Sequence, residues 1–138
     1  MLKVAFATSD RASVDQHFGA SLGFAIHAID SEHAKLVEVI EFPEESMDGN
    51  EDKLAQKIAA LSGCAAVYCL AVGGSAVRQL LAAGIQPIRL DEDVAIHTVL
   101  DQLRLAVRNG GVSWVDRVVR RHDDAGRFER MAEEGWQE

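Results

Sequence analysis

The chain has 138 residues, 48% hydrophobic and 26% charged, with a formal net charge of −8. That length and balance describe one ordinary domain with a full hydrophobic core, and exclude a disordered chain and a disulfide scaffold. The acidic charge argues against nucleic-acid binding, and no apolar run reaches the roughly 18 residues a membrane helix needs.

Residues 2–8 (LKVAFAT) are apolar and short, as in a buried strand rather than a signal peptide. Residues 9–21 interrupt that pattern with Ser, Asp and Gly and predict a loop. Residues 22–30 alternate, with Phe24, Ile26 and Ala28 on one face and Ala25, His27 and Ile29 on the other. Residues 34–42 alternate again, placing Leu36, Ile40 and Phe42 with Glu38, and Val37 and Val39 opposite. The short connector Ser31-Glu32-His33 predicts an antiparallel hairpin between them.

Pro43 ends that strand, and Glu44, Glu45, Asp48, Glu51 and Asp52 read as a solvated connector. Leu54, Ile58 and Leu61 predict a helix over about 50–62, closed by Gly63. The run 65–72 (AAVYCLAV) predicts a strand buried on both faces. Gly73-Gly74 is a tight turn, with Ser75 as the cap of a helix to Ala83. Residues 86–90 form a further strand. Asp91 or Asp93 is expected to cap a helix to Arg108, with Ile96, Val99, Leu100, Leu103 and Val107 inward. Gly110-Gly111 ends it. The order β-β-β-α-β-α-β-α predicts an α/β fold, a mixed five-stranded sheet with helices on both sides. The domain spans 1–110, followed by a partly helical or flexible tail over 111–138.

In such a sheet, ligands bind outside the carboxyl ends of parallel strands. Those ends are the 9–21 loop, the turn from Cys69 to Ser75, and the segment after Leu90. In the first lies His17-Phe18-Gly19: an imidazole able to bind metal, an aromatic anchor, and a residue without a side chain. From the three residues alone, an exposed loop histidine is the better fit. Cys69 is a soft metal ligand or a buried apolar residue. Ser9, Asp10, Arg11, Gly73, Gly74, Ser75 and Arg78 supply polar groups and helix-start amides that suit an anion. His27, His33, His97 and His122 read as structural or surface residues. Cys64 falls at the opposite end of the sheet. With two cysteines and neither CxxC nor HExxH, a self-contained zinc site is not expected.

The stretch FATSDRASVDQHFGASLGFAIHAID resembles the opening of the nitrogenase iron–molybdenum-cofactor-binding family, and CLAVGGSAVRQLLAAGIQPI resembles its second half. The likeness covers about residues 2–108, and the tail ending FERMAEEGWQE is most similar to the NifX branch. The resemblance implies a ribonuclease-H-like three-layer fold without nuclease activity. It implies a non-enzymatic carrier in nitrogen fixation that binds and shuttles an iron–sulfur cluster precursor or the iron–molybdenum cofactor. It places the cofactor-associated histidine at His17. The implied partners are the scaffold and cluster-synthesis proteins of cofactor assembly. Two cysteines without an export signal suggest reduced thiols in the cytoplasm, and no exposed apolar stripe or heptad is evident, so a monomer is expected.

Other functions fit the residues less well. A two-metal nuclease needs converging carboxylates, and the first strand has none within it. VGGS falls short of both nucleotide-binding glycine patterns, and no G-x-S-x-G elbow is present. The alternative is a protein-interaction module of the assembly machinery, using the tail, with Arg117, Arg120 and Arg121 facing an acidic partner.

Overall fold

The computed structural model describes residues 1–42 and 51–121. Of the expected acidic connector, Glu44, Glu45 and Asp48 lie outside the described residues, as does the tail from His122 onward, while Glu51 and Asp52 are the first two residues of a helix. Five strands form one sheet: β1 (Leu2–Ala7), β3 (Gly23–Ile29), β4 (Ala34–Glu41), β5 (Ala66–Cys69) and β6 (Gln86–Arg89), in the order β4-β3-β1-β5-β6. β1 pairs antiparallel with β3 and parallel with β5, and β5 pairs parallel with β6. This is the expected mixed, ribonuclease-H-like sheet.

Helices α1 (Glu51–Ala60) and α2 (Gly74–Ala82) cover one face, and α3 (Ile96–Asn109) the other. Alternation along β1 feeds both layers. Ala5 and Ala7 meet Ile58, Leu61, Ala76 and Leu80 on the first side. Val4 and Phe6 meet Val99, Leu103 and Ala106 on the second. Residues 113–121 are helical (α4), and Val115 is wholly buried in the second layer. Every residue of β3 is buried, because the strand lies between two neighbours and under helices on both faces.

Four local expectations are corrected. First, the 9–21 loop contains β2 (Ser13–Val14), which pairs antiparallel with β7 (Val94–Ala95) as a separate ribbon. Second, the helix expected to be capped by Asp91 or Asp93 starts later, with Ala95 at its N-cap, because 94–95 are held in that ribbon. Third, Gly73 caps α2 without a side-chain bond. Ser75 sits inside the helix and accepts from Gln79 Nε2 at 3.1 Å. Fourth, the β3–β4 register shifts between Ile26 and His27: Ile26 faces Glu38, His27 faces Leu36, and Val37 is the extra residue. The bulge reverses the alternation, so Leu36 and Glu38 are on opposite faces.

Candidate functional site

β1 and β5 run parallel and end side by side, and the chain leaving each forms one wall of a shared mouth. The two walls are stitched by backbone bonds on either side of His17. Leu70 N donates to Gln16 O at 2.9 Å, and Phe18 N donates to Ala71 O at 2.7 Å. His17 itself is exposed, while Phe18 is wholly buried against Phe24, ring centroids 5.5 Å apart. A buried aromatic and two backbone bonds thus hold an exposed imidazole in place. Ser21 N closes the turn onto Phe18 O at 3.3 Å, and Gly19 is exposed with open space around its Cα.

Gly73 and Gly74 follow two residues after Ala71, both exposed, and lead into α2. The first turn of α2 carries no acidic residue, so this helix start favours negative charge. Arg78 is exposed one turn further along.

Ser9, Asp10 and Arg11 organise the loop itself. Asp10 Oδ1 accepts from Ala12 N at 2.8 Å and Ser13 N at 2.9 Å, and these bonds hold its carboxyl below the ordinary range. Ser9 donates through N and Oγ to Asp15, at 2.9 and 2.6 Å. Arg11 has φ 64° and pairs with Glu41 at 3.2 Å. That pair flanks a cavity of about 380 Å³ lined by Thr8, Ser9, Gly23 and Phe42 among others; His17 does not line it.

Cys69 ends β5, as expected, but its thiol is directed into the core. The residue is fully buried, Sγ lies 4.0 Å from Ile88 O, and burial pushes the thiol up to about 11. Cys64 is at the amino end of the sheet, beside the Ala65–Lys3 backbone bond, and is likewise pushed up to about 11. Among the described residues no group of three or more His, Cys, Asp or Glu is gathered to hold a metal ion.

One residue of this region escaped the sequence reading. Lys57 on α1 is 1% exposed, and its Nζ donates to Gly19 O at 2.7 Å and Ser21 O at 3.0 Å. It also sits 5.2 Å from the centroid of the Phe42 ring. The signal was present: position 57 falls on the apolar stripe of Leu54, Ile58 and Leu61.

The dinitrogenase iron–molybdenum cofactor family matches residues 1–105. The chain belongs to that family. It is 51% identical to Protein NifX of Azotobacter vinelandii, covering 100% of this chain and 89% of that one. It is 34% identical to Protein NifX of Klebsiella pneumoniae, covering 96% and 82%. The crystal structure of PH0822 superposes with a TM-score of 0.61 at 25% identity, over 76% of this chain and 90% of that one. The family match spans all five strands of the sheet and the residues of the stitched mouth.

Proposed function

We propose that the chain is a non-catalytic carrier in nitrogenase cofactor biosynthesis, and that its cargo is an iron–sulfur cluster precursor or the iron–molybdenum cofactor. The supporting observation is the exposed His17, fixed by the Leu70–Gln16 and Phe18–Ala71 backbone bonds at the ends of two parallel strands. A preassembled cluster brings its own bridging sulfides, so it needs few protein ligands. A neutral imidazole supplies one terminal bond to iron or a heterometal. The amides at the start of α2 favour the cluster's negative charge. Gly19, Gly73 and Gly74 leave room for a bulky cargo to approach the backbone. One protein ligand makes a labile seat, which suits transfer to a scaffold or acceptor protein.

The test is anaerobic titration with the isolated precursor and with the finished cofactor, followed by visible absorption and gel filtration. Wild type is expected to co-elute with one or both. His17→Ala is expected to lose co-elution, and Cys69→Ala to keep it. A folded wild type that retains neither cluster overturns the proposal.

A second reading, an interaction module without direct cluster binding, has one observation in its favour. Leu81, 53% exposed, borders a cavity also lined by Trp114, Arg117 and Arg121, an apolar and basic surface away from His17. Failure of the cluster titration would turn attention to that surface.

A further inference from the structure

The ammonium of Lys57 is buried at a position where helix periodicity calls for an apolar residue. Removing such a charge from water is costly, and an unbranched apolar side chain such as methionine would fill the space without that cost. Among the described residues no carboxylate pairs with it. Its partners are two main-chain carbonyls, Gly19 O and Ser21 O. The head group therefore acts on the backbone of the turn that follows His17.

That turn is held from two directions. The extension of β5 grips residues 16 and 18, and Lys57 reaches from α1 to grip residues 19 and 21. The ammonium is steadied in turn by the Phe42 ring. Phe42 packs edge-on against Phe24, which packs on Phe18. The cation, three aromatic rings and the turn form one closed set of contacts. They place a fixed positive charge beneath the mouth of a chain whose net charge is −8.

We propose that Lys57 is the positioning residue of the His17 turn: by clamping the Gly19 and Ser21 carbonyls it sets how His17 is presented to an anionic cargo. The role in cargo binding rests on the carrier reading above; the clamp on the turn does not.

The experiment compares wild type, Lys57→Met and Ile58→Val. It measures amide hydrogen exchange over residues 18–21, thermal stability, and anaerobic binding of isolated iron–molybdenum cofactor. Lys57→Met is expected to unfold within a few degrees of wild type, while its 18–21 amides exchange at least about tenfold faster and cofactor binding weakens about tenfold. Ile58→Val, which trims the same helix face, is expected to lower stability and leave turn exchange and binding unchanged. Lys57→Met with wild-type exchange and wild-type binding overturns the proposal. If Lys57→Met does not fold, Lys57→Gln replaces it; faster exchange over 18–21 supports the clamp, and unchanged exchange overturns it. If wild type itself takes up no iron–molybdenum cofactor, binding is measured with the isolated precursor; if it takes up neither, the carrier reading falls and the exchange measurement alone decides the clamp.

Discussion

The Phe18 amide donates to the Ala71 carbonyl at 2.7 Å while the Phe18 ring is wholly buried against Phe24. One residue thus joins the mouth to the core in two ways, and the neighbouring His17 depends on both. Phe18→Ala removes the ring and leaves a cavity. It should cost about 3–5 kcal/mol, read as a lowered midpoint in urea unfolding. A loss under about 1 kcal/mol would show that the ring does not anchor the turn.

Two glycines near the mouth should behave differently. A Cβ at Gly23 would sit 2.7 Å from the Ile40 carbonyl oxygen across the β3–β4 pair. Neither backbone can yield without breaking the ladder, so Gly23→Ala should destabilise by about 1–3 kcal/mol. A Cβ at Gly19 meets nothing within 4 Å. Gly19→Ala should therefore leave unfolding within about 0.5 kcal/mol of wild type. Any loss of cluster binding in that variant then reports crowding of the seat, separate from folding.

His27 gives a pH dependence with a definite sign. It is buried edge-on to Phe6, its Nδ1 has no hydrogen-bond partner among the described residues, and burial lowers its pKa below the ordinary 6.5. The unfolded chain therefore takes up this proton first as pH falls. Stability supplied by the neutral ring is fully present above about 6.5 and declines below it, toward the lowered folded value. His27→Leu should flatten that part of the curve of unfolding free energy against pH. A curve parallel to wild type between pH 7 and 5 would contradict the assignment.

The two cysteines should be inert in the native state. Both are buried, and burial pushes each thiol up to about 11, so little thiolate exists near neutral pH. Labelling by a thiol reagent at pH 8 should be at least about 100-fold slower in the folded than in the unfolded protein. Fast labelling of Cys69 alone would mean that the end of β5 opens toward the mouth, and would restore that thiol as a candidate ligand.

Much of the fold was legible because its main signals are local. Apolar runs identified β1 and β5, alternation identified β3 and β4, helical spacing identified α1 and α3, and the Gly73-Gly74 turn marked the start of α2. The short Ser31–His33 connector identified the hairpin, where Asp30 N donates to His33 O at 2.8 Å. The motif His17-Phe18-Gly19 also declared its own division of labour, since a phenylalanine is favoured inside and a histidine tolerates water. Lys57 was legible in principle. A lysine on an apolar stripe is either misplaced or bonded, and that contradiction was the signal.

What the sequence determined by itself was therefore the five strands of the main sheet, helices α1 to α3, and the loop bearing the exposed imidazole. The tertiary structure decided the rest. It made a ribbon of residues 13–14 and 94–95, pairing segments too short to show a period. It placed the bulge at Val37, which reversed a face assignment that simple alternation had made. It turned Cys69 inward, paired Arg11 with Glu41, and brought Lys57 under residues some 36 and 38 positions earlier in the chain. Each of these depends on which distant backbone or side chain fills the space beside a residue. Local pattern records how apolar a position is, whereas the partner of a buried charge or an unpaired strand edge is set by packing between elements.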